Sequence, residues 1–425
     1  MPLKISYLIL ISFICLAACK QEVNLTTTAP ANEIQHHPLD SIADKVTKRN
    51  WLRPPFKYWG IKNVDKLFDT NPIAKGNKPS ELINKAVSLE SIKIEQFDGK
   101  TYGFIEHLDS NRTDGFLVLH EGKIAFEKYF ENMTASSPHN WFSMSKSLTG
   151  ITADILAAEG KIDMQQQVLH YLPELKGTAW EGATVEMVSD MLVGINYSEV
   201  YNDPKSDAYK FAKVLGFVDV PGPPSPFKNI LEYFKSIKKG LDHDELFHYV
   251  SLNTELLSII SEKVTGKKMS QLMSEKVWSK IGAEHDAFVV KNSGGHELVS
   301  AAINSTLRDA GRFGQMILDN GYYNGQQIVP KEVINHIKAG GSIEKFAGSK
   351  RGKQFKDFSY TRQWWHTDNN AFFAKGLFGQ WIYIDSDNEL VIVKFTTADI
   401  PTSTEYDWIN NMNLMNEIVK HFAEA

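Results

Sequence analysis

The stretch Trp-Phe-Ser-Met-Ser-Lys, residues 141–146, places the hydroxyl of Ser143 and the amine of Lys146 three positions apart, at the start of an apolar run. Residues three apart share one face of a helix, so the Lys146 amine can reach the Ser143 oxygen. A serine is a poor nucleophile until a neighbouring base takes its proton, and a helix N-terminus offers N–H groups to a developing oxyanion. The stretch therefore predicts a nucleophilic serine at a helix start, with Lys146 as its base.

The spacing alone is not specific, because Ser-x-x-Lys occurs four times, beginning at Ser143, Ser225, Ser236 and Ser342. Ser225 lies in a Pro/Gly cluster, and Ser236 and Ser342 lie in polar segments. Only Ser143 follows an aromatic pair and precedes an apolar helical pattern. The alternative interpretation of Ser143 is a solvated helix cap.

The composition is that of a soluble globular protein. The 425 residues suffice for one large or two interleaved domains. Apolar residues make up 42% and charged residues 23% of the chain, which is ordinary for this class. The net charge of −5 provides no basic surface for nucleic acid, so we expect no nucleic-acid partner.

The N-terminus is predicted to be an export signal. Lys4 precedes the short apolar run Ile5–Leu16, and Leu-Ala-Ala-Cys (16–19) follows at once. That sequence resembles the lipobox of bacterial lipoproteins, in which the cysteine becomes the first residue and carries the lipid. We therefore expect a signal peptide at 1–18 and lipidation at Cys19; the alternative is an ordinary cleaved signal with an incidental cysteine.

Lipidation would place the protein in the cell envelope, facing the periplasm. Residues 19–48 contain few large apolar residues and are predicted to be a flexible tether. The lipid would hold the protein at a membrane without inserting it. Lys20 directly after Cys19 favours the outer membrane under the lipoprotein sorting pattern.

Hydrophobic periodicity predicts an α+β fold, with an antiparallel sheet built from both ends of the chain and flanked by helices. Strands are expected at 115–120 and 123–129, joined as a hairpin, and at 360–366, 371–374, 380–384 and 390–395, followed by a helix at 407–422. From about 184 to 285 the periodicity is helical or loop-like. We therefore predict a discontinuous sheet domain, 49–180 and 286–425, with an inserted all-α domain at 181–285.

A second polar pair precedes a predicted helix, at Tyr249-Val-Ser251. A loop at this position can aim both side chains into a cleft, where Tyr249 would relay protons for a lysine base. The alternative is a buried tyrosine followed by a helix cap at Ser251 or Asn253.

Together the two segments resemble the serine β-lactamase and penicillin-binding-protein-like superfamily, in its class C-like esterase and amidase branch. Several stretches are similar to the 6-aminohexanoate-dimer (nylon oligomer) hydrolase group. They occur in order from about Trp51 to the C-terminus, at 142–147, 201–207, 249–257, 282–287, 306–314 and 363–365. The resemblance implies the β-lactamase/transpeptidase-like fold and no cofactor.

The resemblance also implies a role for each matching residue. Ser143 would be the acylated nucleophile and Lys146 the base that activates it. Tyr249 would pass a proton to the leaving group and later help to activate water. The backbone N–H groups of Ser143 and Gln380 would form the oxyanion hole, because Gly-Leu-Phe-Gly-Gln (376–380) falls where the third family motif lies.

That third motif departs from the family pattern. Leu377-Phe378-Gly379 stand where β-lactamases and D,D-peptidases carry Lys-Thr/Ser-Gly and many esterases carry His-Thr-Gly. Gly379 would still allow close approach of a substrate, but neither neighbouring side chain can bind a substrate carboxylate. Lys375 either substitutes in part or is a charge at a strand edge.

Three residues are predicted to bind substrate: Tyr201, Ser251 and Gly379. In the nylon-oligomer hydrolases a tyrosine at the position of Tyr201 contacts the scissile amide, which favours amides; the alternative is a tyrosine that packs over the cleft mouth. The chain has no Gly-x-Ser-x-Gly elbow, Walker loop or His-Glu-x-x-His, and we expect no metal.

The sequence thus predicts a serine hydrolase that acts through an acyl-enzyme on a small ester or amide substrate. One alternative is a true β-lactamase or D,D-peptidase. The other is a catalytically silent cell-envelope binding protein that keeps the fold.

Overall fold

The computed structural model describes residues 41–424, with gaps at 201–202, 204, 219–221, 356, 368 and 400–404. The strands are β1 Thr70–Ile73, β2 Lys93–Glu95, β3 Thr101–Gly103, β4 Thr113–His120, β5 Lys123–Tyr129, β6 His139–Asn140, β7 Ala287–Val290, β8 Ile303–Ser305, β9 Tyr322–Tyr323, β10 Gln326–Gln327, β11 Ser359–Thr361, β12 Trp364–His366, β13 Phe372–Gly376, β14 Gln380–Asp385 and β15 Leu390–Thr396. The helices are α1 Lys57–Gly60, α2 Phe104–Ser110, α3 Ser145–Ala158, α4 Val168–Tyr171, α5 Val185–Ser189, α6 Asp207–Leu215, α7 Ile230–Ser236, α8 Ser251–Thr265, α9 Met269–Met273, α10 Leu307–Leu318, α11 Lys331–Ala339, α12 Ile343–Ala347 and α13 Glu405–Ala423.

The main sheet has seven strands in the order β11-β12-β13-β14-β15-β4-β5. Every neighbouring pair in it is antiparallel. Strand β4, from the first part of the described chain, pairs with β15, close to its end, and β5 pairs with the other edge of β4. The predicted α+β class, with an antiparallel sheet built from both chain ends and flanked by helices, is confirmed.

One predicted strand is wrong. The stretch 360–366 forms two strands, β11 and β12, joined by the turn Arg362-Gln363. Both turn residues have positive φ, 48° and 67°, as a two-residue hairpin turn requires. Neither is the glycine, asparagine or aspartate that normally marks such a turn. The alternation of side chains therefore predicted one continuous strand across it.

Alternation along the strands builds a core on each face of the sheet. Leu117 and Leu119 of β4 point to the face that packs on α3, α8 and α10, whereas Phe116 and Val118 point to the face covered by α2 and α13. All four side chains are fully buried. We call these the α3 face and the α13 face; the candidate nucleophile lies on the first.

Residues 37–425 form one compact unit. Within its described part, the predicted helical insertion at 181–285 contains helices α5 to α9 and a π-helical turn, Ser274–Trp278, and no strand. The predicted domain boundaries beside residues 181 and 285 lie inside this unit, and they stay a prediction.

The predicted signal peptide and Cys19 lie outside the described residues, as does most of the predicted tether. Its last part, 41–48, includes a 3-10 turn at Ala43–Lys45 and the buried side chain of Val46. Among the helices of the described residues, none is both long and apolar enough to span a bilayer.

Candidate active site

The predicted nucleophile lies in the short turn that leads into α3. Phe142–Met144 form one 3-10 turn, and α3 continues from Ser145. Phe142 has a positive φ of 46°, which is rare for a bulky residue and is often found at functional sites. Its N–H donates a hydrogen bond to Asn140 Oδ1 at 2.8 Å. Ser143 is half-buried between buried neighbours, so the sharp turn keeps its hydroxyl accessible.

Aromatic packing fixes this turn from two sides. The Phe142 ring stacks on Trp51 at 6.2 Å and meets Phe378 edge-on at 5.2 Å. Trp51, which is 1% exposed, also donates its indole N–H to the Phe217 carbonyl at 3.1 Å. The segment Trp-Leu-Arg-Pro-Pro-Phe, residues 51–56, therefore supports through Trp51 the backbone that carries Ser143.

Lys146 points at Ser143, as the spacing predicted. Its Nζ donates hydrogen bonds to Ser143 Oγ at 3.1 Å and to the Ser300 carbonyl oxygen at 2.8 Å. The side chain is 1% exposed, and no carboxylate of the described residues forms an ion pair with it. A buried amine held by two neutral oxygens is well placed to exchange a proton with Ser143.

Tyr249 lies beside this pair, in the extended segment before α8. Lys146 Nζ is 5.1 Å from the centre of the Tyr249 ring, and the ring stacks on Trp365 at 5.3 Å. Tyr360 meets it edge-on at 6.0 Å. Burial raises the pKa of Tyr360 well above its usual range, so this second tyrosine stays neutral. The structure thus brings together Ser143, Lys146 and Tyr249.

The predicted substrate-binding residue Ser251 begins α8 and is engaged within the protein. Its Oγ donates to Glu199 Oε1, and its N–H donates to Glu199 Oε2 at 2.8 Å. A carboxylate at a helix N-terminus is favourable in its own right. This contact ties the loop around Glu199 to the helix that follows Tyr249, and the substrate-binding role of Ser251 stays a prediction.

The hairpin β13–β14 borders the Ser143 turn. A Cβ atom at Gly376 would lie 2.1 Å from the Trp141 carbonyl oxygen, so the strand approaches that backbone closely because it carries glycine there. The turn residues Leu377–Gly379 follow, and the ring of Phe378 packs on Phe142.

Gln380 and Gly379 are both buried at this hairpin. Gln380 begins β14 as the register partner of Gly376, and its amide nitrogen donates to the carbonyls of Leu377 at 3.0 Å and Thr396 at 2.7 Å. Gly379 has a φ of 86°, and a Cβ atom there would lie 2.8 Å from Thr396 Cγ2. The oxyanion role of the Gln380 N–H and the substrate contact of Gly379 stay predictions.

Lys375 fits neither interpretation offered by the sequence. It belongs to β13, an interior strand of the sheet, and not to an edge. Its side chain is 7% exposed and lies 2.6 Å from Asp407 Oδ2. Because alternation sends it to the α13 face with Phe373, it does not replace the missing motif lysine.

Sequence reasoning missed three contributors to the site. The Ser300 carbonyl holds Lys146, but any residue supplies a carbonyl, so the sequence carries no signal for it. Glu199 holds Ser251 from a loop fifty residues away. Trp365 belongs to a stretch that carries the resemblance and is a candidate to line an apolar pocket, but its stacking on Tyr249 follows only from the fold.

Arg362 lies in a cluster of acidic groups that includes Asp154 of α3. It donates to Asp154 at 2.9 Å and to Glu186 at 2.6 Å. Burial raises the pKa of the Asp154 carboxyl to about 7, against the opposing attraction of this guanidinium. Glu186, Asp190 and His336 place possible metal-ligand atoms within 4.8 Å of one another, but the guanidinium already supplies the positive charge there.

Two predicted residues, Tyr201 and Cys19, lie outside the described residues. Of the other three Ser-x-x-Lys serines, Ser342 is a helix cap whose Oγ accepts the Lys345 N–H at 3.2 Å. Ser225 accepts the N–H of Phe227 at 3.1 Å, and the Ser236 hydroxyl donates to the Tyr233 carbonyl at 2.6 Å. Ser143 is the one that has its lysine at hydrogen-bond distance among these four.

Known relatives match this chain over most of its length. A 6-aminohexanoate-dimer hydrolase from Paenarthrobacter ureafaciens is 29% identical over 377 residues, which are 88% of this chain and 94% of that protein. A Bacillus anthracis structure assigned as a 6-aminohexanoate-dimer hydrolase superposes with a TM-score of 0.81 at 29% identity. It covers 90% of this chain and 98% of its own. The predicted resemblance to this group is confirmed.

More distant structures share the fold. A family VIII carboxylesterase has a TM-score of 0.51 at 16% identity, over 75% of this chain and 95% of that one. The family described as Beta-lactamase matches residues 104–414, a range that contains Ser143, Lys146, Tyr249 and the whole main sheet. This chain therefore belongs to the β-lactamase family.

Proposed function

We propose that this protein is a serine hydrolase that forms an acyl-enzyme on Ser143 with an ester or amide substrate. The observation that carries the proposal is the hydrogen bond from Lys146 Nζ to Ser143 Oγ at 3.1 Å, made by a buried lysine that has no carboxylate partner among the described residues. The names of the relatives, 6-aminohexanoate-dimer hydrolase and carboxylesterase, support hydrolysis of an amide or ester bond.

In the proposed reaction, Ser143 Oγ bonds to the substrate carbonyl carbon while its proton passes to Lys146. The tetrahedral oxyanion is stabilised by the N–H groups of Ser143 and Gln380. Collapse breaks the bond to the leaving group, which takes a proton from Tyr249, and Tyr249 is reprotonated from Lys146. Water, activated through Tyr249, then hydrolyses the acyl-enzyme and returns the proton to Ser143.

The missing motif side chains argue against a β-lactamase or D,D-peptidase. Leu377 and Phe378 pack against the core beside the Ser143 turn and offer no donor to a β-lactam carboxylate. Lys375, the nearest lysine in sequence, is engaged with Asp407 on the α13 face. We therefore expect hydrolysis of linear esters or amides to exceed turnover of a β-lactam such as nitrocefin.

The test is the initial rate of 4-nitrophenyl butyrate hydrolysis by protein lacking residues 1–20. Ser143→Ala should abolish the rate and covalent labelling by a serine-reactive probe, whereas Ser225→Ala, at another Ser-x-x-Lys site, should keep both. Labelling that persists in Ser143→Ala would overturn the nucleophile. Absence of any rate on esters, amides and nitrocefin would favour a silent binding protein.

We also propose that the protein is a lipid-anchored periplasm-facing lipoprotein of the cell envelope, held by Cys19, with the outer membrane as its site. The support is the sequence at 1–20 alone. Replacing Cys19 by alanine should move the protein from the membrane fraction to the soluble fraction of cells. Equal membrane association of both proteins would contradict the anchor.

A further inference from the structure

An arginine lies beside the candidate catalytic tyrosine. The guanidinium carbon of Arg351 is 5.8 Å from the ring centre of Tyr249, 5.4 Å from that of Trp365 and 5.9 Å from that of Trp408. Arg351 is half-buried. Since Lys146 Nζ and Arg351 both lie within 6 Å of the same tyrosine ring, the guanidinium is close enough for one small substrate to meet both.

The Arg351 guanidinium has no anionic partner among the described residues. Its contacts there are the three aromatic rings, and no carboxylate lies at ion-pair distance. By contrast, Arg308, Arg312 and Arg362 each bind at least one carboxylate at 3.0 Å or less. A partly desolvated guanidinium keeps five N–H donors in a planar fork that matches a carboxylate.

The backbone around Arg351 is fixed by a tight turn. Ser349 N–H donates to the Phe346 carbonyl, and Gly352 N–H donates to Ser349 Oγ, both at 3.0 Å. A Cβ atom at Gly352 would lie 1.8 Å from the Phe346 carbonyl oxygen, so this approach needs glycine. Phe346 stacks on Phe247 at 4.8 Å, two residues before Tyr249. The position of the arginine is therefore coupled to that of the tyrosine.

The charge around this position favours an anion. Lys375 and Lys394 lie on the α13 face, with Asp407 as the carboxylate that faces both. Lys375 Nζ also lies over the rings of Trp381 and Trp408. The pKa of Lys375 is lowered, first by burial and also by the charge of Arg351, so the cations outnumber the acid there. Glu199, a carboxylate near the site, is engaged with Ser251.

We propose that Arg351 binds a carboxylate of the substrate, in place of the polar side chains that Leu377-Phe378-Gly379 lack. The substrate class is thereby narrowed to esters or amides that carry a free carboxylate on the acyl or the leaving-group side. This inference rests on the proposed serine hydrolase. Arg351 is a specificity-determining residue and takes no part in the proton transfers.

The kinetic test compares one neutral ester with two anionic ones. The neutral ester is 4-nitrophenyl butyrate; 4-nitrophenyl hydrogen glutarate carries a carboxylate on the acyl side, and 4-butyryloxybenzoate carries one on the leaving group. Arg351→Gln should lower kcat/KM by about 10- to 100-fold for at least one anionic ester, through KM, as loss of a bidentate charged pair implies. The rate on 4-nitrophenyl butyrate should change less than about threefold.

Two further variants control the result. Arg351→Lys keeps the positive charge but loses the planar guanidinium. Its KM for the affected anionic ester should therefore lie between those of the wild type and Arg351→Gln. Lys353→Gln removes a charge from an exposed position on the same turn and should leave all three esters unaffected. An equal effect of Arg351→Gln on all three esters, or no effect on any, would overturn the proposal.

A binding measurement separates this proposal from the proposed function. Hexanoate, which cannot be hydrolysed, should change the tryptophan fluorescence of the wild type saturably, because Arg351 lies over Trp365 and Trp408. Neutral hexanamide should have no such effect, and Arg351→Gln should abolish the response to hexanoate. Failure of every ester to react would refute the hydrolase, whereas a wild type that does not respond to hexanoate would refute the carboxylate site.

Discussion

Two lysines are buried next to the sheet, yet their surroundings differ. Lys146 and Lys375 are 1% and 7% exposed. Lys146 is held by the Ser143 hydroxyl and the Ser300 carbonyl, whereas Lys375 lies 2.6 Å from Asp407 Oδ2. The partners of the first are neutral oxygens, one of them the hydroxyl of the predicted nucleophile; the partner of the second is a buried carboxylate.

The difference follows from the direction in which each backbone points its side chain. Lys146, in the first turn of α3, comes three residues after Ser143 in the preceding 3-10 turn, so the two side chains point to the same side. Lys375 is on β13, where successive side chains alternate, and it shares the α13 face with Trp381 and Lys394, which are its register neighbours. Burial of a lysine thus does not by itself mark catalysis; the partners decide which role the charge has.

The largest expected effect comes from Lys146→Met. Because this substitution removes the predicted base, kcat/KM for 4-nitrophenyl butyrate should fall about 10²- to 10⁴-fold. Circular dichroism should remain that of the folded protein, since the change replaces a buried chain by one of similar length. Lys375→Met is the matched control, and the folded fraction of that variant should keep its rate. Equal losses of activity in the two variants would contradict the distinction.

The second effect is on stability and belongs to the α13 face. Lys375→Met removes the cation that lies 2.6 Å from Asp407 Oδ2 and leaves Lys394 as the other lysine that faces this carboxylate. The free energy of unfolding should fall by about 3 kcal/mol, the low end for a broken buried pair. Asn411 continues to donate to Asp407 Oδ1 at 3.1 Å, which limits the loss. Urea denaturation measures it.

A double variant checks the cause of that loss. Lys375→Met with Asp407→Asn removes both charges of the ion pair and should recover much of the stability, whereas Asp407→Asn alone takes the carboxylate away from Lys375. A double variant no more stable than Lys375→Met would show that the lost interaction is not the ion pair.

The sequence predicted the parts of the molecule whose chemistry is local. The Ser143–Lys146 spacing, the hairpin 115–129 and the later strands follow from periodicity within one element. The turn Arg362-Gln363 was missed because its positive φ values are imposed by tertiary contacts: Ser147 Oγ donates to the Gln363 carbonyl at 2.7 Å, and Thr254 Oγ1 donates to the Gln363 side chain at 2.7 Å.

The contacts that join distant segments could not be read from one sequence. The residues next to Lys375 in the sequence do not predict its contact with Asp407, which belongs to α13. Likewise, the residues next to Arg351 do not predict its contacts with three aromatic rings from three other segments. The resemblance supplied Tyr249, but its distance from Lys146 required the fold. Contacts between residues that are distant in sequence decide which polar side chains are held within the protein and which are free to meet a substrate. The local sequence pattern does not encode those contacts.

The smallest effect tests the α13 face through its pH dependence. Burial lowers the pKa of Lys394 to about 8, although its Nζ donates to Asn411 Oδ1 at 2.7 Å; an unfolded lysine titrates near 10.4. Between these values the unfolded chain binds more protons than the folded one, so stability should rise as the pH rises from 8 to 10.

Lys394→Met removes this contribution. The free energy of unfolding of the wild type, minus that of the variant, should therefore increase as the pH rises from 8 to 10. The expected shift is on the order of 2 kcal/mol, measured by urea denaturation at pH 8 and pH 10. Lys146→Met supplies the comparison with the α3 face under the same conditions. A difference between wild type and Lys394→Met that stays constant with pH would show that Lys394 keeps its proton throughout, and that the α13 face tolerates a full positive charge there.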